Sequence, residues 1–122
     1  MAWTVRLAVE FVIELRELRG PVQTELLAHA RLLAQFGPQL GRPRADTLKG
    51  SRYSNMKELR FGADGGVWRV AFAFDPQREA VLLAMGNKAG TNEARFYRDL
   101  IHRADRRFAN HLSRINTGTT GD

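Results

Sequence analysis

Apolar and polar positions change period several times along the chain, and each change marks an element. Between Trp3 and Val9 the two alternate, with Trp3, Val5 and Leu7 on one side and Thr4 and Arg6 on the other, which predicts a first strand. From Val9 to Arg19 the spacing becomes helical through Phe11, Val12, Leu15 and Leu18. Glu10 and Glu14 near its start and Arg16 and Arg19 near its end suit the helix dipole. Gly20–Pro21 stops this helix and opens the next, with proline at a first-turn position. Val22, Leu26, Ala30 and Leu33 then stripe a second helix from about Val22 to Phe36, completing a helical hairpin. Gly37–Ser54, with three Gly and two Pro, reads as a long ordered loop.

Three strands follow. Asn55–Phe61 and Val67–Phe74 flank the turn "GADGG", and "DPQRE" makes a second turn with Pro76 placed for type I geometry. "AVLLAMGNK" is apolar through its middle, as expected of an interior strand buried on both faces. Thr91 can cap a last helix from Asn92 to about Ser113, along which Tyr97, Ile101, Ala104, Phe108 and Leu112 recur every three or four residues. The predicted class is α+β: an N-terminal strand and a helical hairpin packed on a small antiparallel sheet, with a C-terminal helix. One domain over 1–113 and a flexible tail over 114–122 are expected.

Composition narrows the function classes. The 122 residues hold no apolar run near 18, so no membrane span is expected, and no signal peptide is visible. Cysteine is absent, which excludes disulfides and thiolate metal sites and fits a cytoplasmic protein. Net charge is +6, and it is uneven. From Lys49 onward 13 basic and 8 acidic residues give +5, against 6 and 5, or +1, before it. The basic half carries the strands, so a polyanion such as nucleic acid is a plausible partner.

Alternation assigns the cations to faces. Lys57, Leu59 and Phe61 share one side of their strand, and Met56, Glu58 and Arg60 the other. In the next strand Trp68, Val70, Phe72 and Phe74 form the apolar side, leaving Arg69 with Val67, Ala71 and Ala73 opposite. Arg60 and Arg69 are therefore expected together on an exposed face away from the core. A solvated cross-strand salt bridge with Glu58 is the plain structural alternative. Lys88 ends the third strand between Gly86 and Gly90, and Tyr97, Arg98 and His102 follow on the last helix. Cations beside an aromatic ring are the make-up of a single-stranded RNA site, with arginine and lysine on phosphates and a base stacked on the ring.

"NMKELRF", "WRVAFAFDPQREAVLLAMGNKAG" and "ARFYRDLIHRADRRFANHL" together resemble the RelE/ParE superfamily of type II toxin–antitoxin toxins, in its HigB-like, phage-derived Gp49-like branch. The resemblance covers roughly Lys49 to Leu112. It implies a RelE-like fold and a toxin that cleaves mRNA in the ribosomal A site without metal or other cofactor, neutralised by a cognate helix-turn-helix antitoxin. The partners implied are that antitoxin, the ribosome and mRNA, with no membrane. It implies catalytic roles for Arg60, Arg69, Lys88 and Tyr97, and RNA contacts for Lys57, Arg98 and His102. His102 and Asp99 are the nearest acid–base candidates, and the general base is left unassigned. The alternatives are a ParE-like inhibitor of DNA gyrase, or an inactive phage-derived relative that binds nucleic acid.

Overall fold

In the computed structural model the backbone is described for residues 2–120 and the side chains as far as Asn116. The elements run β1 (Thr4–Leu7), α1 (Val9–Arg16), α2 (Gly20–Phe36), a 3₁₀ turn (Gly37–Gln39), β2 (Ala45–Thr47), β3 (Lys57–Ala63), β4 (Gly66–Phe74), β5 (Glu79–Asn87) and α3 (Glu93–Thr120). The strands form one five-stranded sheet in the order β1-β5-β4-β3-β2. Strands β2 to β5 are antiparallel, and β1 lies parallel to β5 on the outside. As its apolar middle predicts, β5 is interior, with six consecutive buried residues from Ala80 to Met85.

Local chemistry explains the joints. Asp64 and Gly65 both take positive φ, 51° and 74°, which is what a two-residue hairpin turn between the paired Ala63 and Gly66 requires. At the next turn the Asp75 carboxylate accepts from the backbone N–H of Gln77 and Glu79, and Arg78 takes φ 64° to bring the chain round.

Two expectations need correction. The segment 37–54 is not all loop: Ala45–Thr47 forms an edge strand on β3, too short and too close to Pro43 to leave a period in the sequence. The last helix runs to Thr120 rather than stopping near Ser113. The expected tail at 114–122 thus begins within α3, and its last two residues lie outside the described ones.

The larger correction concerns the sheet faces. The hairpin α1–α2 covers the Leu59, Phe61, Val70 and Phe72 side, where the ring of His29 stacks on Phe61 at 4.9 Å and Leu26 and Leu33 are fully buried. The opposite side is not open, because α3 lies across β4 and β5 there. Leu100, Ala104 and Phe108 bury against the sheet, and Ala71, Ala73 and Ala84 have no exposure. Small residues at those positions let a helix approach, and each large side chain fully buried this way contributes about 1.5–3 kcal/mol. Gly86 performs the same service at the site end: a Cβ there would stand 2.9 Å from the Phe96 ring.

The β4–β5 register slips between Ala71↔Ala84 and Phe72↔Leu82, so Leu83 is an extra, bulged residue. The β1 pairing also ends at Leu82. Beyond it, Arg107 donates to the Leu83 carbonyl at 2.9 Å and Arg103 to that of Met85 at 3.3 Å. Guanidinium groups of α3 thus reach backbone acceptors of β5 directly.

Candidate active site

Arg60 and Arg69 are direct partners across β3 and β4. Opposed side chains in such a pair lie about 5 Å apart at Cβ, and like charges there are destabilising unless something offsets them. For Arg69 the offset is internal. It is buried, its Nε donates to the Tyr97 hydroxyl at 3.1 Å, and its Nη1 donates to the Trp68 carbonyl at 3.0 Å. The Tyr97 hydroxyl in turn donates to Glu58 Oε1 at 2.9 Å. Glu58 Oε1 lies 3.8 Å from Arg69 Nε, an ion pair without a direct hydrogen bond, so the phenol is the physical link between the two charges. Arg60 differs. Its backbone N–H is held by the Arg44 carbonyl at 2.8 Å, and its side chain is half-buried. Among the described residues no hydrogen bond or ion pair reaches its guanidinium.

Lys88 completes the group from the far side of the ring. Its backbone N–H donates to the Val67 carbonyl at 2.7 Å, and the Asn87 side chain accepts from the N–H groups of Val67 and Ala89, which shapes the loop carrying it. The Lys88 ammonium sits 5.8 Å from the centre of the Tyr97 ring and 2.8 Å from the Glu93 carboxylate. The arrangement is a phenol flanked by two cations, with a third cation paired across the strands and a carboxylate beneath.

Burial pushes the Glu58 carboxyl above its usual range. The hydrogen bond from Tyr97 and the charges of Arg69 and Arg60 oppose the shift, and Asp46, its partner on β2, adds to it. The Tyr97 hydroxyl is also raised, first by burial, with the hydrogen bond from Arg69 acting the other way. A carboxylate raised toward neutrality beside fixed cations is the environment in which acid–base groups are found.

Of the residues singled out in the sequence, Arg60, Arg69, Lys88 and Tyr97 come together here. Arg69 does so as a buried group under α3, where the alternation placed it on an open face. Lys57 does not join them; it projects from the other face of β3 with Leu59 and Phe61. Arg98 and His102 are exposed on the outer side of α3, and Asp99 is engaged by Arg103 Nε at 3.0 Å. Two acids complete the cluster that sequence reasoning passed over. Glu58 was legible only as a surface partner, and Glu93, one helical turn before Tyr97, carried no signal beyond its place at a helix start. Among the described residues no group of three or more His, Asp or Glu is gathered as metal ligands, and no helix is long and apolar enough to cross a membrane.

The family model "Phage derived protein Gp49-like (DUF891)" matches residues 13–109. Among curated proteins the chain is 48% identical over 91 residues to "Putative toxin HigB2" of Mycobacterium tuberculosis (strain ATCC 25618 / H37Rv), covering 74% of this chain and 45% of that one. It is 47% identical over 87 residues to "Putative toxin HigB3" of the same organism, covering 71% of this chain and 74% of that one. The chain therefore spans under half the length of the first relative. Among solved structures, an arginine double mutant of Escherichia coli toxin RelE in the free state superimposes with a TM-score of 0.59 at 14% identity, over 83% of this chain and 95% of that one, a likeness of fold. The matched family and the two curated relatives agree: the chain belongs to the phage-derived, Gp49-like family, has HigB toxins as relatives, and has a RelE-like fold.

Proposed function

We propose that this toxin is a ribosome-dependent mRNA endonuclease that inhibits translation. The observation that carries the reading is the register-matched pair Arg60 and Arg69, in which Arg69 is anchored through Nε and Nη1 with its other N–H donors left over, and Arg60 has no internal partner for its guanidinium among the described residues. A scissile phosphate between Arg60 and Lys88 would supply the missing anion. In the reaction the ribose 2′-oxygen attacks the adjacent phosphorus, the O2′–P bond forms and the P–O5′ bond breaks, leaving a 2′,3′-cyclic phosphate and a 5′-hydroxyl. Tyr97 accepts the 2′-proton while passing its own to Glu58, along the hydrogen bond already present between them. Arg60 and Arg69 stabilise the charge that develops on the phosphorane oxygens, and the Lys88 ammonium returns a proton to the leaving 5′-oxygen. No step in this scheme uses a metal or other cofactor.

So small a site offers few contacts to align the RNA, and alignment alone is worth several kcal/mol, so the ribosome is the expected source of it. Arg98 and His102, both exposed on α3, are assigned contacts to the RNA. The remaining partner is a cognate antitoxin of the helix-turn-helix kind, and the compartment is the cytoplasm. Primer extension on mRNA translated with the purified protein tests the proposal. Discrete cuts on translating ribosomes, ending in cyclic phosphate, are expected, with little cutting of free RNA. Uncut message under arrested growth would point to another target, DNA gyrase first.

A further inference from the structure

Glu93 belongs to the cluster by geometry and has no part in the chemistry above. It is the first residue of α3, four before Tyr97, so the two side chains share a helix face. Its carboxylate lies 2.8 Å from the Lys88 ammonium, which itself stands over the Tyr97 ring. We propose that Glu93 is a resident anion that occupies the Lys88 end of the phosphate seat in the free protein, and that an incoming phosphate must displace it. The proposal rests on reading the cluster as a phosphate seat, and goes beyond it by naming what fills that seat when RNA is absent.

Three observations carry it. Lys88 is mostly enclosed, with 23% of its side chain exposed, whereas Glu93 is 70% exposed; the cation is part of the wall and the carboxylate is the removable partner. The Glu93 carboxyl is held below its usual range by the hydrogen bond and charge of Lys88 first, and the charges of Arg69 and Arg60 add to the effect. The carboxylate therefore feels the same three cations that a phosphate would. Finally, an ion pair this exposed is weak and screened by salt, so it can be exchanged for a phosphate offering more acceptors. Glu93 thereby discriminates: weak or singly held anions fail to displace it, and a phosphodiester aligned on both Lys88 and Arg60 succeeds.

The test is inorganic phosphate, followed by NMR at the Arg69 Nε–H and the Tyr97 ring, in wild type, Glu93→Gln and Glu25→Gln. Glu25 is a matched removal of one negative charge on α2, across the sheet from the cluster. Phosphate is expected to bind Glu93→Gln about five- to tenfold more tightly than wild type, and Glu25→Gln like wild type, since net charge alone acts diffusely while a neighbouring charge acts strongly. Equal or weaker binding by Glu93→Gln would overturn the proposal. So would equal tightening in Glu25→Gln, or no binding by any of the three. Thermal melts check that each variant is folded. Cleavage on ribosomes is scored separately: its absence in wild type would remove the nuclease reading and leave the phosphate result standing.

Discussion

An arginine–carboxylate pair lies beneath each half of α3, Arg107 with Glu14 and Arg69 with Glu58, and the two pairs are built differently. Toward the C-terminal half, Arg107 grips Glu14 with two short hydrogen bonds of 2.8 and 2.7 Å and gives a third to the Leu83 carbonyl. One turn further on, His111 Nε2 meets the fully enclosed Asp75 carboxylate at 2.8 Å. Toward the N-terminal half, Arg69 and Glu58 are bridged through a phenol, a second arginine stands opposite with no ion pair among the described residues, and a mostly enclosed lysine pairs with an exposed glutamate. The first end is closed: Arg107 uses both terminal nitrogens inside the protein, and its Nε is buried without a hydrogen-bond partner among the described residues, beyond the reach of an outside anion. The second holds donors in reserve. An ion pair that satisfies itself is architecture, while fixed cations short of acceptors are a place for an anion to bind.

The sharpest break in that comparison is Arg60. Arg60→Ala is expected to lower single-turnover cleavage on programmed ribosomes by about 10²-fold or more, while stability moves by less than about 1 kcal/mol because no internal partner is lost. Cleavage at the wild-type rate would return Arg60 to an ordinary sheet cation. Arg69→Ala separates the readings less cleanly, since it should lose activity and also strand the buried Glu58 carboxylate, lowering the melting temperature.

The closed end should answer in the opposite way. Arg107→Met keeps most of the buried stem but removes the Glu14 and Leu83 contacts. It is expected to cost about 2 kcal/mol in urea unfolding, below the full cost of breaking a buried pair because Glu14 is 37% exposed. Cleavage per folded molecule should be unchanged. A large loss of specific activity at unchanged stability would mean that the two ends are not divided as described.

The smallest effect is a difference in pH dependence. Glu58 is raised in the folded chain, so the folded state holds its proton more tightly. The stability it contributes is present below the ordinary carboxylate range and is lost as pH rises through the raised value. Glu14 is lowered, chiefly by its hydrogen bonds from Arg107, so its contribution is present above the ordinary range and is lost as pH falls through the lowered value. Relative to wild type, Glu58→Gln should therefore gain stability as pH rises above the ordinary carboxylate range, and Glu14→Gln should gain it as pH falls below that range. Urea melts on either side of that range decide the matter, and slopes of the same sign for the two variants would break the contrast.

Period and punctuation along the chain specify much of this molecule. The helical stripe from Val22 to Leu33, the Asp64–Gly65 turn, the alternation of β3 and β4 and the apolar middle of β5 are local signals, and local signals survive in a linear text. The same alternation put Arg60, Arg69 and Glu58 on one face, and Lys88 at the end of the next strand and Tyr97 on the last helix were expected beside them. What only packing decided was the cover over that face. Nothing in a strand's own pattern says whether a distant helix will lie across it. The small residues Ala71, Ala73, Ala84 and Gly86 admit α3, and α3 turns an open patch into an enclosed one. That contact buries Arg69 and Glu58, inserts the Tyr97 hydroxyl between them, and brings Glu93 onto Lys88. Each of these depends on residues separated by tens of positions meeting at hydrogen-bond distance, and such meetings are set by the tertiary fold rather than by any period of the chain.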